Sequence, residues 1–281
     1  MKTLLKYFAL VLLLPMMALA HQPRIVESAT TVVIDPEISK AYYSEFNGTS
    51  QIYTIDALSD FDLYVNLLVP DKAGQSRNIE AVVTRDGESV PVVTLGGIGF
   101  AWESFYEPFG NDTYLNGPEY RAHVPAGRYT IRVTSPDATI KYSLAVGEIE
   151  AFNVAETLSA IHTIPLIKRD FFGKSPANFI FSVMGASFIA IMFVLSWIFG
   201  FLYRWIMKSF ATKKFGKPQN IGRYDRFLRA LFGVVIFIFA IMTSWSPLLF
   251  FFSGFCFFEA IFSWCGFYAA IGRNTCPIGQ G

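Results

Sequence analysis

The chain has 281 residues, 53% of them apolar and only 16% charged, with 29 phenylalanines. That composition excludes a disordered or collagen-like polymer, and it excludes an ordinary water-soluble protein throughout. The formal charge of +1 hides a division: residues 21–175 carry 12 Lys and Arg against 20 Asp and Glu, a balance of −8, whereas residues 176–281 carry 9 against 2, a balance of +7. An acidic part followed by a basic, apolar part predicts two domains in two environments.

Residues 1–20 open with Lys2 and Lys6, continue through an apolar run and end in Ala18-Leu19-Ala20. This is the layout of a secretory signal peptide cleaved before His21. The apolar run is too short for the ~20 residues of a membrane span. The chain from His21 onward is therefore expected to emerge on the periplasmic or extracytoplasmic side.

Residues 21–150 predict an exported all-β domain. Strand-like runs fall at 31–34, 40–46, 51–56, 61–69, 79–84, 90–95, 120–124, 129–134 and 140–146, separated by turn formers such as Asn47-Gly48, Asp86-Gly87 and Pro125-Ala126-Gly127. Short strands with such turns predict an antiparallel sandwich. The strand Phe61-Asp62-Leu63-Tyr64-Val65 and the hairpin beginning Val124-Pro125-Ala126-Gly127-Arg128-Tyr129 resemble the bacterial pre-peptidase C-terminal type of β-sandwich. The resemblance implies a secreted binding or accessory module, with no catalytic residues to carry over.

Within this domain residues 96–118 read as a long loop. It holds Trp102, Glu103, Tyr106, Glu107, Asp112 and Tyr114, rings beside carboxylates that suit a sugar or a cation. The competing reading is a loop packing its own rings, with Trp102 inside and Tyr106 and Tyr114 partly exposed. The acids lack calcium-loop spacing, and the metal question stays open. A mature N-terminal His21 suits copper if His123 lies near it in space. No Ser-His-Asp order, nucleophile elbow, phosphate loop or zinc spacing occurs, and no cofactor is implied. A domain of −8 is not expected to bind nucleic acid.

Residues 151–174 are expected to link the β domain to the bilayer, with Pro165 interrupting any helix and Lys168, Arg169 and Lys174 near lipid phosphates. Residues 175–205 predict the first transmembrane helix, on which Ser182, Ala186 and Ala190 form a small-residue face suited to homo-oligomers. Residues 206–225 form a basic loop, the mark of the cytoplasmic side. Residues 226–276 predict a two-helix hairpin, with spans over 230–245 and 248–271 turning at Ser246-Pro247. Residues 277–281 complete a cytoplasmic tail. The fold class is thus multi-domain: an exported antiparallel β-sandwich, then a helical membrane domain of three transmembrane helices.

The run Asn220-Ile221-Gly222-Arg223-Tyr224-Asp225-Arg226 and the close Trp264-Cys265-Gly266, continuing to Gly272-Arg273-Asn274-Thr275-Cys276, resemble the YgaP-like inner-membrane domain at both ends and in spacing. Two positions depart from its pattern. Gly266 stands where the family has Pro, and Glu259 lies within the second helix. The resemblance implies a two-helix domain of the bacterial inner membrane. In some members it follows a sulfur-transferring rhodanese domain.

All three cysteines, Cys256, Cys265 and Cys276, lie in this last part. Cys265 and Cys276 read as a redox, persulfide or metal pair, or as structural residues. Glu259 is a carboxylate within a span that must face protein or water. Arg226 and Arg229 share a helix face and are expected to reach lipid phosphate. The reading of the whole is a membrane-anchored, exported binding or assembly protein of the cell envelope, non-catalytic, meeting an exported ligand or envelope protein and membrane lipid. The alternative is a membrane redox or sulfur-handling protein using Cys265 and Cys276. Transport is disfavoured, because three spans per chain and one buried acid form no pathway unless the chain oligomerises.

Overall fold

The computed structural model describes residues 21–210 and 219–276. The signal segment, Lys213, Lys214 and Lys217 of the basic loop, and the tail from 277 lie outside the described residues. The chain divides into two compact units, one ending at Ala151 and one beginning at Phe152.

The first unit is built from β1 (Gln22–Ile25), β2 (Thr30–Val32), β3 (Lys40–Phe46), β4 (Gln51–Ala57), β5 (Phe61–Pro70), β6 (Glu80–Arg85), β7 (Val93–Gly96), β8 (Glu103–Glu107), β9 (Asp112–Val124), β10 (Gly127–Thr134) and β11 (Ile140–Val146). One sheet has the order β1-β3-β11-β5-β9-β8 and the other β2-β4-β10-β6-β7. Side chains alternate along each strand, so every second residue enters the space between the sheets. Val65, Leu67, Ile55, Ile131 and Val133 meet there with no exposure to solvent. Tyr53 of β4 and Tyr142 of β11 join hydroxyls at 2.9 Å inside this core, satisfying two polar tips that burial would otherwise leave unpaired.

Two features differ from the sequence expectation. The sandwich is antiparallel in its centre, yet β1 pairs parallel with β3, and β2 parallel with β4. The segment 21–34 passes from an edge of one sheet to an edge of the other rather than folding back as a hairpin. Residues 96–118 are also not a loop. Phe105 and Tyr106 build β8, which pairs antiparallel with an extended β9 from Glu103↔Asn116 to Glu107↔Asp112. Aromatic residues favour strands, and Asn111, at φ +60°, makes the turn between them.

The second unit begins with α1 (Val154–Asp170), capped by the Asn153 side chain accepting from the Glu156 amide at 2.9 Å. This helix runs through Pro165 instead of breaking there. Lys168 is buried, Arg169 pairs with Asp170, and Lys174 lies over the Phe172 ring at 5.3 Å. A 3-10 turn, Pro176–Phe181, precedes α2 (Val183–Phe210). Ser182 sits in the break between them, bonded to Phe179 O and the Gly185 amide, so the small-residue stripe keeps only Ala186 and Ala190. Within α2, Val183–Met207 is long and apolar enough to cross a membrane, the one such helix among the described residues.

After the basic loop come α3 (Arg223–Met242), α4 (Pro247–Phe262) and the short α5 (Gly266–Ile271). The apolar stretch 248–271 is therefore two helices and not one, because Ser263 turns left-handed at φ +53°. At 1.5 Å per residue α4 is ~24 Å long, short of a ~30 Å hydrocarbon core. It is the central helix. On one side Ser253 Oγ donates to Gly233 O of α3 at 2.9 Å; on the other Trp197 Nε1 of α2 donates to Gly254 O at 3.2 Å.

Gly266, the residue that departs from the YgaP-like pattern, lies flat against the Tyr203 ring of α2, where any Cβ would overlap the ring. Gly266→Ala is therefore expected to destabilise the detergent-solubilised protein by ~1–3 kcal/mol, as overpacking does. Adding Tyr203→Ala should restore part of that loss in a thermal melt; no restoration would show that the ring is not the obstacle.

Candidate functional site

Two places gather the residues with chemical potential. The first is the β8–β9 hairpin. The Trp102 ring lies over Gly97 and Gly117, where a Cβ would come within 2.8 and 2.5 Å of it, and its Nε1 donates to Gly97 O at 3.0 Å. The Glu107 carboxylate accepts from the amides of Phe109 and Gly110 at 2.6 and 2.7 Å, so it clamps the turn. Asp112 is buried. Tyr114, expected from sequence to be partly exposed, is also buried, and its hydroxyl meets that of Tyr43 at 2.6 Å. Burial holds both phenols well above the usual tyrosine range.

What remains outward is apolar and acidic. Phe105 and Tyr106 are 45% and 56% exposed, Glu103 lies beside them, and Phe100 stands edge-on to Trp102. Tyr106 is steadied by donating to Asn111 Oδ1 at 3.0 Å. The hairpin is thus a fixed shape with an aromatic surface. Its inner carboxylates are occupied by the fold.

The two histidines do not converge. His21 hydrogen-bonds Ser39 beside β1, and burial lowers its pKa against a smaller opposing effect of Glu148. His123 sits on β9 bonded to Asp62 at 2.8 Å, and that bond raises its pKa. Between β1 and β9 lie three strands, a separation of ~19 Å at the usual strand spacing. The copper arrangement is not formed.

The second place is the end of α4. Glu259 is bonded by Arg229 of α3, and Arg229 Nε also reaches Asp225 at 3.2 Å. The Cys265 thiol lies against the same Glu259 carboxylate. Tyr268 faces two guanidiniums, Arg229 at 5.1 Å and Arg273 at 5.0 Å from its ring centre. Arg226, an exposed residue, donates to Ala260 O at 2.7 Å. Arg229 is thus engaged within the protein, whereas Arg226 bonds α4 from an exposed position. A helix leaves its last carbonyls without partners, and Arg226 supplies one.

Asn220 and Ile221 hold the two cysteines in place. The Asn220 side chain donates to Cys265 O at 2.8 Å and accepts from Cys265 N at 2.7 Å, while its amide donates to Ser263 O. Cys276 Sγ donates to Ile221 O at 3.2 Å. Thr275 accepts from the Gly222 amide at 2.9 Å and donates to Asp225 at 3.2 Å. Both cysteines are free thiols; Cys265 is attached to Asn220 and Cys276 to the adjacent Ile221. Sequence reasoning singles out Glu259 and the cysteines but misses Arg229 and Asn220 as their partners. The usable signal is the need of a buried carboxylate for a cation, with Asp225 and Arg229 already paired at i, i+4.

Residues 217–279 match the family model of the inner membrane protein YgaP-like, transmembrane domain. The match spans α3, α4, α5 and the bonds around Glu259 and Asn220, so the network is built inside the YgaP-like domain, with α2 preceding it. No curated protein matches the chain. Among solved structures, the chain shows a slight likeness to the pre-peptidase C-terminal domain of a collagenase from Bacillus anthracis. The identity is 11% and the TM-score 0.26, over 45% of this chain and 96% of that one. The two-sheet architecture stands on the strand pairings themselves.

Removing Arg229 leaves Glu259 buried without its cation. Arg229→Met should lower stability in detergent by about 3 kcal/mol, whereas Arg229→Met combined with Glu259→Leu should be near neutral. Additive losses in that double-mutant cycle would mean the two side chains are not coupled. In the hairpin, Trp102→Ala is expected to cost about 3 kcal/mol, as loss of a packed aromatic does. An unchanged melt would show the ring to be a binding surface and not part of the packing.

Proposed function

We propose that this protein is a membrane-anchored binding or assembly protein of the bacterial cell envelope. Its β-sandwich is displayed on the exported side, three helices cross the membrane, and the C-terminus is cytoplasmic. The observation that carries this reading is the use of polar groups in the helical unit. Arg229 bonds both Asp225 and Glu259, Arg226 caps α4, and Cys265 and Cys276 are tied to Asn220 and Ile221 respectively. A set of groups spent on one another suits an anchor better than a pathway or a catalyst. The aromatic hairpin, held by its turn and by Trp102, offers a preorganised surface outside.

The signal-peptide pattern of residues 1–20 and the basic loop support the same orientation. α2 supplies one span. α3 and α4 supply a hairpin turned at Trp245 and Ser246, where the Trp245 amide donates to Ala240 O and its indole to Ile241 O at 3.0 Å. The shortness of α4 is met by the α5 segment and by the interfacial Tyr268 and Arg273, which let a short helix end at the headgroups.

A second reading keeps the two thiols as a redox or sulfur-handling pair, favoured by the attachment of Cys265 to Asn220 and of Cys276 to the adjacent Ile221. The two are separated by one set of measurements. Reporters fused after Lys217 and at Ser246 should report the cytoplasm and the exported side respectively. The Cys265→Ser, Cys276→Ser protein should accumulate normally and retain its exported interactions. Reporters on one side of the membrane would remove the three-span topology. A stable double variant that has lost all function would favour the thiol reading.

A further inference from the structure

The exported sandwich carries a groove of about 530 Å3 that its own side chains leave open. One wall is the β2–β3 connection from Val33 to Ile38, the other is the β4–β5 turn at Leu58 and Ser59, and Phe61 forms the floor. The first wall is fixed by a buried lysine. Lys40 Nζ donates to the carbonyls of Ile34 at 2.7 Å and Asp35 at 2.9 Å. Asp35 adopts φ +48°, a left-handed conformation rarely taken without surrounding contacts to hold it. The far end is tied down as Glu37 O accepts from the amides of Glu148 and Ile149 at 3.0 and 2.8 Å. The groove is therefore a preformed shape.

Its rim has two chemical characters. Val32, Ile34, Leu58 and Ile149 expose 61%, 67%, all and 57% of their surface around one cavity. Single exposed aliphatics are ordinary, but four around a concave floor mark a contact site. Between them stand Asp35, Glu37 and Asp56, and the lining contains no Lys or Arg. Asp56 is engaged by Arg128 at 2.7 Å and Glu37 by the Asp62 amide at 3.0 Å, so two carboxylates are already oriented. β2, which leads into the wall, is an end strand of its sheet. An end strand beside aliphatic positions and carboxylates is the arrangement for adding an extended peptide whose alternate side chains are read on one face. An acyl chain has no use for three carboxylates, and a nucleic acid is repelled by them.

We propose that this groove binds an extended segment of a partner protein in which aliphatic and basic residues alternate. The proposal rests on the binding reading above and names the surface and the partner chemistry. Charge complementarity commits it to a cationic segment, and the apolar floor requires that segment to be aliphatic as well.

The test uses the full chain in nanodiscs of zwitterionic lipid and fluorescein-labelled short peptides of Lys-Val, Lys-Gly and Glu-Val repeats, read by anisotropy. The Lys-Val peptide should bind at least about tenfold tighter than the other two. Ile34→Ser with Leu58→Ser, both exposed positions, should weaken it about tenfold, and Asp35→Lys should weaken it and reduce its salt dependence. Equal binding of Lys-Val and Lys-Gly, equal binding of Glu-Val, binding to empty nanodiscs, or indifference to the paired serine variant would each overturn the groove. A groove that fails while the reporters still place the sandwich outside leaves the binding reading standing on the hairpin. A sandwich found in the cytoplasm removes the envelope partner whatever the peptides do.

Discussion

A carboxylate placed in an apolar helix has to find a cation, and the helical half of this protein is arranged around that requirement. Glu259 obtains Arg229, and Arg229 is held by Asp225 one turn earlier on its own helix. Asp225 is in turn bonded by Thr275 from the last described residues of the chain. One buried charge thus fixes the start of α3, the end of α4 and the approach of the tail to both. Water offers such a group many partners; a low-dielectric interior offers only those the fold supplies. The turn at Ser263 follows from the same economy. Where α4 stops, its free carbonyls are taken by Arg226, Asn220 and Ile221, so the helix can end within apolar surroundings without orphaned groups.

The β unit solves a different problem by different means. Its core is closed by apolar residues with two tyrosine hydroxyls paired across it, and burial pushes the Tyr142 phenol up to about 12. In the hairpin, Glu107 serves the backbone of the turn and Asp112 is buried. Meanwhile Lys40, a cation drawn into the wall of the sandwich, organises carbonyls and leaves the neighbouring carboxylates facing outward. The net negative charge of this unit is therefore not spread evenly in its consequences: Glu107 holds a turn, Asp56 is paired with Arg128, and Glu37 accepts from the Asp62 amide at the groove beside Phe61.

Much of this is legible in the sequence, and the failures have physical causes. The strand 129–134 shows in its alternation and in the Pro125-Ala126-Gly127 turn before it, because one of its faces is buried and the register is thereby fixed. The β8–β9 hairpin escapes sequence reasoning because glycines and prolines crowd residues 96–118 and suggest a loop, whereas the deciding factor is pairing between Phe105 and Tyr114 along a neighbouring edge. Pro165 looks like a stop and is not one. Conversely, nothing in the apolar run 248–271 announces a left-handed serine. The family resemblance locates the YgaP-like domain correctly, but a motif records spacing and not direction. It does not show that Arg226 and Arg229 turn toward α4, since that depends on packing between residues thirty or more positions apart.

The contact between Gly266 and Tyr203 has a further meaning for how this chain is divided. The segment that matches the YgaP-like domain begins at residue 217, yet one of its residues is shaped to receive a ring from position 203. The border of the recognisable module and the border of the packed unit therefore do not coincide. Transplanted with a different preceding helix, the module would present a dent the width of a phenol ring where α5 begins. In this protein α2 is not a tether onto which a standard part has been bolted; it is the missing piece of that part's surface.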